Sequence, residues 1–484
     1  MIEIDTRLGR VRGIQHGGGQ AFLGLPFALP PTGRRRFAPP EPCGPWTGTY
    51  DATALAARCP QPPAPPLIGG PTADRQDEDC LYLNIYTPEA DGRVRPVLFW
   101  IHGGAYTQGS ANDFDGSTLA MQGDVVVVCT NYRLGLLGFA DLSRLGQEMA
   151  GSASNGIRDQ IEALRWVAHN IVDYGGDPGN VTIFGESAGA GSVLALLAAP
   201  SADGLYHRAI AASPGGATTP PVDAVPALTA ALGVGEELLL DRLRQLSAAE
   251  LLDLQITSGA STSGAIDGVV VTRPFSQAIR DRGTTGVPVI AGTTRDEGTL
   301  LTEIVDPSVF EATTAAIALG VMRGDDPGAY LSALQATYPE ADAQTRHTLV
   351  WTNLFRRAAI HAAEAASAAG PGGWLYRFDL PTTELGGRLG ATHGSDIGFI
   401  FNIVGGPDPV PILLRDADDP VVRRLAEQWS NTILTFARTG DPNGAGLPLW
   451  PRYTSDDRRC LVINAESRVD HDPDGVHRKL WGDA

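Results

Sequence analysis

A short glycine-flanked serine motif is the strongest chemical signal in the sequence. The pentapeptide GESAG at residues 185–189 fits the pattern G-x-S-x-G, directly after the apolar segment 181–184 and before the apolar segment 190–199. In a nucleophile elbow of this pattern, a strand turns sharply into a helix and lifts the serine hydroxyl clear of a sheet. Glycine permits the tight turn. The motif therefore predicts that Ser187 is a nucleophile for acyl transfer.

A second glycine-rich motif supplies groups that could stabilise a negative oxygen. The sequence HGGA at residues 102–105 directly follows the apolar run 94–101, where an oxyanion loop is expected relative to such an elbow. Backbone N–H groups suit this task because they are fixed and need no reorganisation. We expect the donors to be Gly104, Ala105 and, from the elbow, Ala188. The histidine of this motif is expected to be structural.

A serine nucleophile needs a histidine base, and the histidine needs a carboxylate that orients it. Among the histidines after Ser187, His393 lies in a loop of small residues, the kind of position that catalytic side chains occupy. The expected chain order is serine, acid, histidine. The predicted strand 287–291 is followed closely by both Asp296 and Glu297. The local pattern leaves the choice between these two carboxylates open.

Buried strands that alternate with helices must position these residues. Apolar runs predict strands at 94–101, 125–131, 181–184 and 287–291, and helical spacing predicts helices at 157–170 and 190–199. Short, nearly continuous apolar strands separated by helices are typical of a parallel sheet covered on both faces. The sequence therefore predicts the α/β class. The mostly helical stretch at about 303–369 is predicted to be a cap or insertion on that sheet.

Composition excludes several other functions. The 484 residues carry a formal net charge of −18, which disfavours nucleic acid and anionic membrane surfaces as partners. Lys479 is the single lysine, so no phosphate-binding loop with its lysine is present. No apolar stretch approaches the roughly 18 residues of a membrane helix, and the first residues lack a secretory signal. We expect a cytoplasmic protein that needs no metal and no organic cofactor.

Longer motifs resemble those of the type-B carboxylesterase family, which includes bacterial p-nitrobenzyl esterases. The matching segments, in the family's order, are EDCLYLN at 78–84, GGDP at 175–178, FGESAGAG at 184–191, FARTGDPN at 436–443 and WPRY at 450–453. The resemblance implies an α/β-hydrolase fold, with a central, mostly parallel twisted sheet flanked by helices. It also implies that residues 1–484 form a single catalytic domain.

The resemblance assigns roles to individual residues. The family's Ser-Glu-His triad falls on Ser187, Glu297 and His393, so the implied acid is Glu297 rather than Asp296. The implied oxyanion amides are those of Gly104, Ala105 and Ala188. Two residues are implied to lie beside the triad, Glu186 and Ser213. Two cysteines match those of a family disulfide, Cys59 and Cys80.

The function implied is hydrolysis of carboxylic esters through an acyl-enzyme intermediate. Short to medium acyl groups are expected, and relatives with a Gly-Gly-Ala loop often accept bulky alcohol groups. A lipase, an amidase or a carbamate hydrolase would use the same machinery, so each of these activities is also compatible with the motifs. A non-catalytic binding homologue is the candidate from a different class, and Ser187 argues against it. A monomer or weak homo-oligomer is expected.

Overall fold

The chain divides into two compact units. The first comprises the described residues of Met1–Ala64, Pro71–Arg208 and Pro220–Pro274, and the second those of Ala209–Thr219 and Phe275–Ala484. The computed structural model describes residues 1–63, 75–216, 219–262, 266–322, 326–404, 415–416 and 418–482. The single catalytic domain over 1–484 stays a prediction.

The first unit is built on a mixed sheet. Its strands are β1 (Ile2–Thr6), β2 (Gly9–His16), β3 (Gly19–Pro26), β4 (Thr49–Asp51), β5 (Tyr82–Thr87), β6 (Arg95–Ile101), β7 (Val126–Thr130) and β8 (Gly176–Glu186). They lie in the order β1-β2-β3-β5-β7-β6-β8, with β4 beside β2. Along this order, pairing is antiparallel from β1 to β7 and parallel across β7, β6 and β8, while β4 pairs with β2 in parallel. The parallel strands are the ones that lead into the predicted chemistry.

Helices surround these strands in the first unit. They are α1 (Ser117–Gly123), α2 (Gly135–Phe139), α3 (Asn155–Asn170), α4 (Ala188–Leu197), α5 (Val225–Leu232), α6 (Glu236–Gln245) and α7 (Ala248–Ser258). The predicted apolar stripe of α3 is buried at Ile157, Ile161 and Leu164. Every residue of α4 is buried, as its composition of Ala, Gly, Ser, Val and Leu permits. Both helices lie where the sequence predicts them, to within about two residues.

The sequence pattern located the interior strands better than the outer ones. The predicted strands 94–101 and 125–131 correspond to β6 and β7, whose valine, leucine and aromatic side chains are almost all buried. Strand β8 is longer than the predicted 181–184, since it begins at Gly176. The antiparallel strands β1 and β2 were not predicted. They are half exposed and mix arginine and glycine with apolar residues, which weakens the apolar signal.

The second unit contains further strands and helices. Its strands are β9 (Arg208–Ala212), β10 (Val289–Thr294), β11 (Gly373–Phe378), β12 (Arg459–Ile463) and β13 (Arg468–His471). Strands β9 to β12 pair in parallel in that order, and β13 adds an antiparallel edge. The helices are α8 (Phe275–Arg282), α9 (Gly298–Glu303), α10 (Phe310–Met322), α11 (Pro327–Thr337), α12 (Ala343–Ala369), α13 (Ile397–Phe401), α14 (Pro420–Thr439) and α15 (Gly475–Leu480).

Helix α12 is the central helix of the second unit. It begins at the cap Asp342, whose Oδ1 accepts the Thr345 N–H at 2.8 Å, and ends before Gly370, at φ +115°. It packs on α8, α9 and α10 and on strands β10 and β11. The described residues of 303–369 are mostly helical, as predicted, while their role as a cap stays a prediction. Among the described residues, no helix is long and apolar enough to cross a bilayer.

Candidate active site

Ser187 occupies a sharp turn between β8 and α4. Strand β8 ends at Glu186, helix α4 begins at Ala188, and Ser187 itself has φ +57° and ψ −123°. A positive φ in a serine costs free energy and persists only where the surroundings enforce it. A Cβ at Gly189 would lie 2.0 Å from the carbonyl oxygen of Ile101, at the end of β6. Glycine is therefore required for α4 to start this close to the sheet.

The loop after β6 lies directly against the nucleophile. A Cβ at Gly103 would lie 2.9 Å from the carbonyl oxygen of Glu186 and 3.0 Å from the Cβ of Ser187. The buried Glu186 carboxylate is equally close, with Oε2 at 2.9 Å from the same position. The absence of a side chain at Gly103 lets the loop touch the elbow. Gly104 and Ala105, the predicted oxyanion donors, therefore come directly after a residue that packs against Ser187.

Backbone geometry frees the predicted oxyanion donors. Gly104, Ala105 and Tyr106 have φ of +106°, +53° and +61°, and the turn is closed by the Gln108 N–H, which donates to the Gly104 carbonyl at 2.9 Å. Within the part of the chain that the structure describes, the N–H groups of Gly104 and Ala105 donate to no protein acceptor. The Ala188 N–H lies in the first turn of α4, where helical N–H groups lack an intrahelical partner.

His102 holds this loop and stays neutral. Its ring is buried and stacks on Tyr132 with 4.4 Å between ring centroids, and the Tyr132 hydroxyl donates to the His102 carbonyl at 2.8 Å. Burial lowers the pKa of His102 to about 4, so an imidazolium is disfavoured there. Its Nδ1 lies 2.9 Å from the carbonyl oxygen of Gly103. These contacts agree with the structural role expected of this histidine.

A buried acid–base pair lies in the second unit. His393 Nδ1 is 2.6 Å from Glu297 Oε2. Glu297 is fully buried, and its other oxygen accepts the Ser213 hydroxyl at 2.5 Å and the Thr294 N–H at 2.7 Å. Because both donors bind Oε1 of Glu297, Oε2 is left to contact the imidazole of His393. The arrangement suits a carboxylate that orients a histidine and stabilises its protonated form.

Asp296 is placed differently from Glu297. Its carboxylate is partly exposed, pairs with the Arg295 guanidinium at 2.8 Å and accepts the Ala391 N–H at 2.8 Å. Asp296 therefore stabilises the loop that leads to His393, but it does not contact the imidazole. Between the two carboxylates that the local pattern left open, the structure brings Glu297 to His393.

Helix α12 contributes contacts that sequence reasoning missed. The Phe355 ring lies against the His393 ring with 4.4 Å between centroids. Thr352 Oγ1 accepts the N–H of Gly298, the residue after Glu297, at 3.1 Å. No local motif marks these residues, since they belong to a long helix far from the site in sequence. Phe355 and Thr352 could have been identified only from a prediction that α12 packs against the loop after β10.

A second buried carboxyl lies close to the pair. Asp396, three residues after His393, is fully buried and accepts the Tyr376 hydroxyl at 2.8 Å. Burial, together with the charge of Glu297, raises the pKa of Asp396 to about 6. Two neighbouring buried carboxyls resist simultaneous ionisation. Asp396 was not predicted as part of this site.

We expect Asp396→Asn to change the pH dependence of stability. The pKa of this carboxyl is 3.8 in its reference state and about 6 in the fold. The stability it contributes is therefore full below pH 3.8 and is lost as the pH rises through about 6. Asparagine stays neutral and keeps an acceptor for the Tyr376 hydroxyl. The Tm of the variant minus that of the wild type should increase between about pH 4.5 and pH 7.5. A constant or decreasing difference would contradict the assignment.

The cysteines of the implied disulfide are free thiols. Cys59 and Cys80 are both buried, and the Leu134 N–H donates to Cys59 Sγ at 3.2 Å. Hydrogen bonding to Cys59 and burial raise the pKa of the Cys80 thiol well above its usual range. The two cysteines that the resemblance implied as a disulfide are therefore not bonded to each other in the structure.

Comparison with protein families decides the relationship. A family model described as the carboxylesterase family matches residues 2–481. The chain belongs to the carboxylesterase family. A para-nitrobenzyl esterase of Bacillus subtilis is 35% identical over 491 residues, which cover 98% of this chain and 97% of the relative. The family assignment made from the sequence motifs is therefore confirmed.

Solved carboxylesterases share the fold. A Geobacillus stearothermophilus carboxylesterase at pH 6.2 has a TM-score of 0.84 at 36% identity, covering 99% of this chain and 100% of that one. A p-nitrobenzyl esterase structure has a TM-score of 0.87 at 34% identity, with 99% of each chain covered. The predicted α/β-hydrolase fold is confirmed. The predicted enzyme class is confirmed as well: this carboxylesterase hydrolyses carboxylic esters.

Proposed function

We propose that this carboxylesterase hydrolyses soluble esters of short to medium acyl chains, with Ser187 as nucleophile, His393 as base and Glu297 as acid. The observation that carries the proposal is the buried 2.6 Å contact between Glu297 and His393, on a carboxylate held by two further donors. Support on the nucleophile side comes from the strained φ of Ser187 within a glycine-flanked elbow.

The first half of the reaction forms an acyl-enzyme. His393 Nε2 takes the proton of the Ser187 hydroxyl while Oγ attacks the ester carbonyl carbon. The carbonyl oxygen becomes an oxyanion, which accepts hydrogen bonds from the N–H groups of Gly104, Ala105 and Ala188. By mutational precedent, one such donor lowers the barrier by about 3 kcal/mol. The intermediate collapses, and the imidazolium gives its proton to the leaving alcohol oxygen.

The second half repeats these steps with water. His393 takes a proton from water, the resulting nucleophile attacks the acyl carbon, and the same amides stabilise the oxyanion. The imidazolium then returns the proton to Ser187 Oγ as the carboxylic acid leaves. Throughout, Glu297 keeps Nδ1 as the proton donor to its carboxylate, so that Nε2 remains free to accept from serine.

The remaining features of the proposal follow from the sequence. The match of one family model over residues 2–481 supports a single catalytic domain. The Gly-Gly-Ala loop supports acceptance of bulky alcohol groups. The net charge of −18 argues against nucleic acid and anionic membranes as partners. We propose a cytoplasmic enzyme that works as a monomer or weak homo-oligomer without a cofactor.

A series of p-nitrophenyl esters tests the substrate class. We expect kcat/KM to be highest for acetyl to hexanoyl esters and to fall for long acyl chains. With a preferred ester, activity should rise between about pH 6 and 7 as the histidine base loses its proton. Activation by emulsified triglyceride would show a lipase instead. Higher kcat/KM for anilides than for matched esters would show an amidase, and higher kcat/KM for carbamates would show a carbamate hydrolase.

A further inference from the structure

A buried network of charges that the mechanism does not use lies in the second unit. Asp474, the cap of α15, accepts from Arg377 Nη1 at 2.9 Å and lies 3.3 Å from Arg356 Nη1. Arg377 also forms an ion pair with Asp379 at 2.7 Å. Arg356 and Asp474 are only 3% and 5% exposed. Removing charges from water at such depth is costly unless each is paired and hydrogen-bonded.

Arg356 connects this network to the loop that carries the acid. Its Nη2 donates to the carbonyl oxygens of Thr294 and Arg295, each at 3.0 Å. These residues lead from the end of β10 to Glu297. The Thr294 N–H donates in turn to Glu297 Oε1 at 2.7 Å. Arg356 thus holds the carbonyl group of Thr294, and the N–H group of the same residue holds the Glu297 carboxylate.

The same helix also holds the other side of this loop. Gly298, directly after Glu297, donates to Thr352, and a Cβ on Gly298 would lie 2.0 Å from the Thr348 carbonyl oxygen. Glu297 therefore lies between two points of contact with α12, of which Arg356 is the charged one. The short contact between Glu297 and His393 depends on the position of this loop.

We propose that Arg356 is a positioning residue for the Glu297–His393 pair, with Asp474 as its counterion. The proposal rests on the proposed function, because it assigns Arg356 a task in the same triad. A guanidinium donates in one plane to two carbonyls and a carboxylate, which the compact ammonium of lysine cannot do. Without it, Glu297 retreats from His393, and the imidazolium that forms during catalysis loses part of its stabilisation.

Arg356→Met tests the proposal, with Arg357→Met as the matched control. Arg357 is the neighbouring buried arginine of α12, and it donates to the Val321 carbonyl on α10. We expect Arg356→Met to lower kcat by about 10²-fold with little change in KM, since small displacements of catalytic groups have effects of that size. Arg357→Met should leave kcat within about threefold, as expected for a change that displaces no catalytic group.

A pH profile separates positioning from general destabilisation. An opposite charge raises the pKa of an imidazole, so a weakened Glu297 contact should move the acidic limb of kcat/KM to lower pH, by about one unit. The variant for this profile is Arg356→Lys, because it keeps the positive charge, whose loss would itself raise the pKa of the imidazole. Charged or titratable groups of several elements surround the pair and the network. Beside the pair they include Glu297, Asp396, Tyr376 and Arg415, and in the network they include Arg356, Arg377, Asp379, Asp474, His477, Arg295 and Cys460. Arg357→Met should leave the limb in place. An unmoved limb in Arg356→Lys would overturn the proposal.

A proton NMR signal reports on the pair without any substrate. The Nδ1 proton shared by His393 and Glu297 should resonate far downfield in the wild type, and Arg356→Met should shift or remove this signal. Arg356→Lys should do the same with normal folding by circular dichroism, and it carries the test if the methionine variant does not fold. A wild-type signal in Arg356→Lys would refute the proposal. Failure of the proposed function is recognised separately, by a wild-type protein that shows the signal but hydrolyses no ester.

Discussion

Replacing Ser187 with alanine is expected to lower kcat by about 10⁶-fold, the scale seen when the serine of such a triad is removed. The variant keeps the oxyanion amides and the acid–base pair, but it has no oxygen that can form the acyl-enzyme. KM should change far less, because the hydroxyl contributes little to ground-state binding. The measurement is steady-state hydrolysis of a short p-nitrophenyl ester.

Ser192→Ala provides the control for this experiment. Ser192 lies in the same helix, α4, is fully buried, and accepts from Gln160 Nε2 at 3.0 Å. Its loss should change stability more than kcat. If Ser187→Ala retained activity within tenfold of the wild type while Ser192→Ala lost it, the nucleophile would have been assigned to the wrong serine.

Replacing Glu297 with glutamine should lower kcat by about 10⁴-fold, as removal of the carboxylate charge does in comparable triads. Glutamine has nearly the same shape, but its amide N–H₂ cannot accept from His393 Nδ1. When the amide nitrogen faces the ring, the imidazole must carry its proton on Nε2. That tautomer cannot take the proton of Ser187.

Asp296→Asn is the matched comparison, one residue away. Asp296 pairs with Arg295 and accepts the Ala391 N–H, and asparagine can keep that second bond. We expect kcat to fall by less than about tenfold, the scale of a small displacement in the loop before His393. The reverse order of effects would assign the acid to Asp296 and contradict the role given to Glu297.

The parts of the site that depend on short stretches of chain could be predicted from the sequence. The elbow around Ser187 and the loop at 102–105 each combine an apolar strand with glycines in one contiguous segment, so their local geometry follows from residue type. Both segments have the positive φ angles that such turns require. His393 could be selected because it lies in a loop of small residues.

The parts that depend on tertiary packing could not be predicted. Asp296 and Glu297 are adjacent in sequence, and only the fold shows which of them faces the imidazole. The family resemblance had implied Glu297, and the structure agrees in its geometry. Phe355 contacts the His393 ring, and Arg356 contacts the loop before Glu297. Both come from a helix whose sequence shows only an ordinary buried apolar stripe. Asp474 comes from near the C-terminal end and pairs with Arg356 across a large sequence separation.

A fluorophosphonate label followed by peptide mass spectrometry tests the central claim most directly, since it reports the nucleophile and its activation in one measurement. Ser187 attacks the phosphorus only if its hydroxyl is activated by the histidine base. We predict one adduct, on the peptide that contains Ser187, with parallel loss of ester hydrolysis and no adduct in Ser187→Ala. An adduct on another residue would contradict the account. So would a protein that hydrolyses esters but is not labelled at all.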